Sequence, residues 1–224
     1  MTDLRLPLAL ALALALSPAA HGQTAGQQPA TDTAGTEEAP VQGPNDLSLG
    51  EDVDDDETGT TYVAAEHGDW SVRCIRTGLE ADPCELYQLL QDDQGNSVAE
   101  ISLFNLPPGQ QAAAGATIVT PLETLLTAQI TLRVDGGQAK RYPFTFCAPI
   151  GCFARVGFTE AEINAFRRGN QATLVIVPAM LPDEQVALQM SLRGFTAGYE
   201  AVRAANAAAE KAAEAAEAAA GEGN

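Results

Sequence analysis

From Asp69 onward the chain is a succession of short β-forming runs cut by turns, and this punctuation constrains its fold more than any other feature. In Trp70-Ser71-Val72-Arg73-Cys74, large apolar side chains alternate with polar ones. That period of two puts every second residue on one face of a strand. Comparable runs lie at residues 84–90, 98–105, 116–120, 130–134, 139–147, 152–158, 172–178 and 186–195. Nine short strands separated by turn signals predict an all-β sandwich or barrel. Asp135-Gly136-Gly137 falls between two of them and marks a tight hairpin, since glycine accepts φ > 0. A stretch of about 130 residues is long enough for a single two-layer core.

One short helix interrupts the strands. Thr159-Glu160-Ala161-Glu162 reads as a capping box, in which the Thr hydroxyl meets the N3 amide and the Glu reaches back. Ile163 and Phe166 then share a face, and Gly169 ends the helix. A second helix is expected to begin near Thr196 and run through Ala-Ala-Glu repeats to about Ala220, supported by alanine's propensity. It has little to bury beyond Tyr199 and Val202, so its last turns are expected to be exposed and frayed. No Leu or Ile recurs at heptad spacing, which argues against a coiled coil.

The N-terminus predicts export. Arg5 precedes an apolar run from Leu6 to Leu16, and Ser17-Pro18-Ala19-Ala20 breaks it before small residues, the three parts of a secretory signal peptide over 1–22. Cleavage after Gly22 fits better than cleavage after Ala20, which would leave Pro18 at the −3 position. The apolar run is too short to span a bilayer, so no membrane span is expected after cleavage. The destination read from this is the periplasm, with the cell surface or the medium as further possibilities.

Export changes the meaning of the four cysteines. An even count in an oxidising compartment reads as disulfides rather than as reactive thiols. Three connectivities are open, and Cys74–Cys84 with Cys147–Cys152 is preferred because each pair closes a local loop between neighbouring strands. The chain-entropy model assigns loops of this length about 2–3 kcal/mol each. Thiol-redox chemistry is the competing reading. It favours Cys-x-x-Cys at a helix N-terminus, whereas here nine and four residues separate the cysteines within strands and turns.

The formal net charge of −18 is unevenly spread. Residues 23–66 carry eleven Asp and Glu and no Lys or Arg, while residues 69–199 carry thirteen acids against nine bases. Acidity with three prolines and few large apolar residues predicts a disordered, self-repelling linker over 23–66. The domain proper is then 67–199, with 200–224 as an Ala/Glu-rich tail. Without a basic footprint, nucleic acid is not an expected partner. The acidic run Glu51 to Glu57 does not make a calcium loop. Counting from Asp54 puts Ala65 at position 12, and counting from Asp52 puts Glu57 where Gly is needed.

Catalysis finds little to build on. His21 lies at the cleavage region and His67 at the end of the linker, so neither falls within the nine runs, and His67 alone could serve a nucleophilic triad. Neither phosphate- nor dinucleotide-binding glycine motifs occur. Asp82 with Glu85 and Asp183 with Glu184 are the acid pairs in reach of glycosidase-like chemistry, but both sit in turn-like segments where solvated acids are the ordinary case. No catalytic residue, cofactor or metal is expected.

Several of these segments together resemble the invasion-associated locus B family of exported Gram-negative proteins. The resemblance is carried by Trp70-Ser71-Val72-Arg73-Cys74, Cys84-Glu85-Leu86-Tyr87-Gln88 and Val134-Asp135-Gly136-Gly137. It continues through Phe146-Cys147-Ala148-Pro149-Ile150-Gly151-Cys152-Phe153-Ala154 and Ser191-Leu192-Arg193-Gly194-Phe195-Thr196, covering about residues 66–203. It implies an immunoglobulin-like β-sandwich in the periplasm or at the envelope and brings no catalytic residues with it. The expected function is therefore a non-enzymatic module acting through binding or envelope support, with an unidentified protein or envelope component as partner. The loops around Cys84 and around Pro149, Ile150 and Gly151 are the first candidates for contact, with Arg167 and Arg168 as a minor basic point. An unrecognised periplasmic enzyme or thiol-redox protein, and a host-cell adhesion or invasion factor, are the alternatives.

Overall fold

The structure is a computed structural model that describes residues 57–221. The expected signal segment over 1–22, its cleavage site and most of the expected linker lie outside these residues. The strands are β1 (Thr61–His67), β2 (Trp70–Ile75), β3 (Cys84–Gln91), β4 (Ser97–Asn105), β5 (Ala114–Thr120) and β6 (Ile130–Val134). They continue as β7 (Lys140–Tyr142), β8 (Phe146–Ala148), β9 (Gly151–Phe158), β10 (Gln171–Ile176) and β11 (Val186–Ser191). Helix α1 (Glu160–Arg168) sits between β9 and β10, and α2 (Phe195–Gly221) follows β11.

All eleven strands are antiparallel to their neighbours and belong to one continuous curled sheet. One block runs β1-β2-β3-β4-β5-β9-β8 and the other β11-β10-β6-β7. They meet at β3, which pairs with β2 from Cys84 to Tyr87 and with β11 only through Gln91 opposite Gln189. The path also ends on strands adjacent in sequence, because only Pro143, Phe144 and Thr145 separate β7 from β8. A single hydrophobic cluster draws on both blocks, with Leu86, Ile101 and Ile118 from one and Leu132, Leu174 and Leu188 from the other.

Four differences from the sequence reading have physical reasons. The boundary at residue 66 is too late: β1 occupies Thr61–His67 and pairs with β2 from Thr61 opposite Ile75 to His67 opposite Trp70. An edge strand needs only one partner and leaves much of itself exposed, so Glu66 and the local lack of large apolar residues do not prevent pairing. The run at 139–147 is two strands, broken at Pro143, which lacks an amide to donate. The hairpin turn at Asp135 takes its positive φ of 45° on the aspartate rather than on Gly136 or Gly137. Asp135 is held there by its carboxylate, which accepts from the Gln171 amide at 3.1 Å. Finally, the division at residue 199 cuts through α2, whose first turns bury Phe195, Gly198, Tyr199 and Val202.

α1 forms as its sequence requires. The Thr159 capping box closes, Ile163 and Phe166 are buried, and Gly169 caps the C-terminus. Gly169 is not in a left-handed conformation; a Cβ there would meet Leu192 and Val134 side chains at 2.7 Å. Phe166 then joins a chain of edge-to-face rings, the geometry aromatic quadrupoles favour. Its centroid lies 5.0 Å from Phe158 and 5.4 Å from Phe195, and Phe195 lies 5.5 Å from Trp70.

The Ser191-to-Thr196 segment is where β11 turns into α2, and Ser191, Arg193 and Gly194 each have a structural reason there. The Trp70 indole donates to the Ser191 carbonyl at 2.8 Å. The Gln88 side chain, buried in the sheet, donates to the Asp69 and Ser191 carbonyls and accepts from the Ser191 amide at 2.8 Å. Its amide is thereby satisfied, as a buried polar group must be. The Ser191 hydroxyl and the Arg193 guanidinium both bind the Asp69 carboxylate, which holds Asp69 below the usual aspartate pKa. Gly194 has φ +89°, and a Cβ there would stand 1.9 Å from the His67 carbonyl oxygen, so no larger residue fits the close backbone approach.

Candidate functional site

Both cysteine pairs sit at directly opposed strand positions. Cys74 faces Cys84 across β2 and β3, and Cys147 faces Cys152 across β8 and β9. Their sulfurs lie at disulfide distance, 1.96 Å and 2.08 Å. Cys74, Cys84 and Cys152 are buried, while Cys147 is exposed on the terminal strand. Asn206, deep in the segment assigned to the tail, ties α2 to the first pair. Its side chain accepts from the Cys84 amide at 2.7 Å and donates to the Cys84 carbonyl at 3.0 Å. A lone Asn among alanines and glutamates was the only sequence signal of this anchor.

The candidate acids are occupied by local structure. Asp82 accepts from the Thr77 amide at 2.7 Å, from the Thr77 hydroxyl and from Tyr62, which together pull it below the usual aspartate pKa against its own desolvation. Glu85 accepts from Ser102 across the sheet. Asp183 and Glu184 are exposed in the β10–β11 loop. His67, half-buried, ends β1. Arg167 pairs with Glu200 at 2.6 Å and lies over the Tyr199 ring, so it is not a free basic contact; its neighbour Arg168 is exposed. Among the described residues no group of three or more His, Cys, Asp or Glu could hold a metal ion. Nor is any helix among them long and apolar enough to cross a membrane.

A titratable cluster does form where β7 meets α1. Glu162 accepts from the Thr159 hydroxyl at 2.6 Å and amide at 2.9 Å, from Tyr142 and from Lys140, whose Nζ lies 2.9 Å away. Burial opposes the Glu162 charge, but these hydrogen bonds outweigh it and hold the pKa at about 2, against an ordinary 4.5. The same burial and the bond to Glu162 push Tyr142 up. Every oxygen of Glu162 is engaged in fastening β7 to the helix start, which makes the cluster structural. A depressed carboxylate contributes stability above its unfolded pKa and loses it as pH falls through the folded one. Glu162→Gln should therefore lower stability by about 1–2 kcal/mol at neutral pH. Urea melts of the two proteins should converge as pH falls from 4.5 to about 2.

A groove of about 1040 Å³ lies between the β4–β5 loop and the two helices. Its charged walls are mutually paired, Arg167 and Arg203 both bonding Glu200. A smaller groove of about 440 Å³ is lined mainly by apolar residues, including Ile75, Leu79 and Phe104 beside the Cys74–Cys84 pair. This is the Cys84 loop region that the sequence singled out.

The other loop candidate lies at the end of the sheet reached by the C-termini of β3 and β5 and the N-terminus of β9. Ile150, at the tip of the β8–β9 hairpin, is 79% exposed. It borders a surface hollow with Leu89, Val98 and Pro121. Phe146 lies under it in sequence, stacked on Phe153 at 4.7 Å and sharing a second hollow with Leu126. The loop after β5 is stitched to the loop after β10: the Leu125 amide donates to Val177 at 2.7 Å and the Ala179 amide to Glu123 at 2.6 Å. That join ties the loop carrying Leu122 to the loop carrying the exposed Met180 and Leu181. Neither loop was chosen from sequence. Large apolar residues inside the proline-bounded turns Pro121-Leu122 and Met180-Leu181-Pro182 were the available signal.

A mostly β, antiparallel domain with two cross-strand cysteine pairs and a helix locked over one end defines a structural class, and comparison with known proteins places it in a family. The model of the Invasion associated locus B (IalB) protein family matches residues 70–203. The chain belongs to that family. Two invasion protein B homologues of Brucella abortus, from strain 2308 and from biovar 1 strain 9-941, are each 26% identical over 147 residues, covering 65% of this chain and 82% of theirs. The crystal structure of invasion associated protein b from Bartonella henselae superposes with a TM-score of 0.53 at 22% identity, covering 62% of this chain and 95% of that one. That likeness speaks for the fold.

Proposed function

We propose that the protein is an exported, periplasmic module of the invasion-associated locus B type that acts by binding, without catalysis of its own. The observation that carries this reading is the β8–β9 hairpin. A terminal strand pair joined at Cys147 and Cys152 holds Phe146 and Ile150 out in solvent, 43% and 79% exposed. Large apolar side chains held out together on one rigid support favour a contact surface, because chance exposure is ordinary only for isolated residues. We read the two strand blocks as the layers of an immunoglobulin-like sandwich, joined at the Gln91–Gln189 corner, whose end loops make the contacts. The two cysteine pairs are then structural disulfides that fix those loops.

Formaldehyde crosslinking of intact cells carrying the full-length tagged chain tests this. A discrete adduct is expected from the wild type and lost from the Phe146→Ser/Ile150→Asp variant; absence of any adduct from the wild type refutes the reading. Iodoacetamide separates it from thiol-redox chemistry. No cysteine of the native protein should be alkylated before reductant is added, and a labelled thiol would point to redox function instead.

A further inference from the structure

We infer that the loop end of the sheet is a docking surface for a protein partner whose own contact face is apolar at its centre and basic around it. This rests on the binding reading above and adds the partner's chemistry. The apolar part is six side chains, Phe146 from β8 and Leu122, Leu126, Ile150, Met180 and Leu181 from three connections, between 41% and 82% exposed. They form one neighbourhood. Ile150 and Pro121, which precedes Leu122, line one hollow; Leu126 and Phe146 line another; and the Thr124–Pro178 bridge joins the loop of Leu122 to the loop of Met180 and Leu181. Isolated exposed apolar residues are ordinary on a protein surface, but a contiguous set on one end is not.

The charge around this set selects the occupant. Residues 92–97, 121–129, 143–150 and 177–185 build the end, and they carry Asp92, Asp93, Glu123, Asp183 and Glu184 but no Lys or Arg. Arg155 reaches in from β9, with its guanidinium 5.6 Å from the Phe146 ring. An anionic lipid surface would be repelled by such a rim, and a second copy would set acid against acid. A protein face with Lys or Arg around an apolar centre gains on both counts, burying the six side chains while complementing the acids. The surface is also held in shape before binding, by the Leu125–Val177 and Ala179–Glu123 hydrogen bonds and by the Cys147–Cys152 pair. Little ordering is left to oppose association.

The test places the photoreactive residue benzoylphenylalanine at Met180 or at Ile150 of the full chain, with Glu217 on the exposed end of α2 as the control position. Cells are irradiated and adduct peptides are identified by mass spectrometry. The expected result is one protein crosslinked from both loop positions and not from residue 217, through a peptide in which apolar residues are flanked by Lys or Arg. Adduct yield should fall at least fivefold in the Glu123→Lys/Asp183→Lys/Glu184→Lys variant, whose melting temperature is checked against the wild type. Adducts with lipid, co-sedimentation with phosphatidylethanolamine–phosphatidylglycerol vesicles, crosslinks to a second copy, or a yield unmoved by charge reversal would each overturn the inference. If formaldehyde traps a partner while the photoreactive positions stay silent, the binding reading survives and this surface is wrong. If both fail, both fall.

Discussion

Replacing Phe195 with alanine should lower the unfolding free energy by about 3–5 kcal/mol, the range for deleting a fully buried aromatic ring. Phe195 is 0% exposed and is a junction of the ring network. It meets Trp70 at 5.5 Å and Phe166 at 5.4 Å edge-on, and stacks on Tyr199 at 5.6 Å. Those three rings belong to β2, α1 and α2, so its removal leaves a cavity bordered by three elements, none of which can collapse without dragging its own strand or helix. Phe195 is also the first residue of α2, and Gly194 before it is locked against the His67 backbone. The loss should therefore appear twice: as a reduced urea midpoint, and as a weakened near-ultraviolet signal from Trp70. A control, Thr196→Ala, removes a hydroxyl that makes only a long 3.5 Å bond to the Arg167 carbonyl and should change stability by less than about 0.5 kcal/mol. Equal effects from the two substitutions would refute the ring network as the organising centre.

Sequence reading recovered elements whose local pattern and final environment agree. β6 at Ile130–Val134 and the capped helix α1 have the expected extents because alternation and the Thr159 capping box act within a few residues. It failed where structure depends on what a segment lies beside. β1 is mostly exposed and ends on Glu66 and His67, and only the presence of β2 makes it a strand. Asn206 looks like part of a solvated tail until β3 presents the Cys84 amide to it. The Ser191-to-Thr196 segment announced its family but not its mechanics: its glycine answers to His67, well over a hundred positions earlier in the chain.

The same logic explains why only part of the proposed contact surface was legible. Pro149, Ile150 and Gly151 stand out because a four-residue turn between two cysteines is a local feature. Leu122, Met180 and Leu181 belong to separate connections that meet only because β5 and β10 deliver their ends to the same side of the sheet. Topology assembled the surface. The charge reading depended on topology too: averaged over the domain the acids are unremarkable, and only the strand order gathers five of them, without a Lys or Arg from the same loops, at one end.

Removing both cysteine pairs should destabilise the protein by about 5 kcal/mol in the chain-entropy model, the pairs contributing nearly independently. Independence follows from position, since β4 and β5 stand between the β2–β3 pair and the β8–β9 pair. The single-pair variants should not be equivalent. Cys74→Ala/Cys84→Ala opens the longer loop, with a separation of 10 residues against 5, and removes two buried side chains from the core. We expect it to lose about 3–4 kcal/mol. Cys147→Ala/Cys152→Ala opens the shorter loop and loses one buried sulfur, for about 2 kcal/mol. Against a stability of about 5–15 kcal/mol for a domain of this kind, the protein lacking all four cysteines should lose a third or more of its stability and unfold at a much lower urea midpoint. Urea melts with and without reductant decide the matter, because reduced wild type should match the four-cysteine variant apart from its retained side-chain packing. The two pairs should also separate by function. Loss of Cys147 and Cys152 loosens the hairpin that carries Phe146 and Ile150, so partner crosslinking should fall well before global stability does. Loss of Cys74 and Cys84 should lower stability while leaving crosslinking intact wherever the domain remains folded.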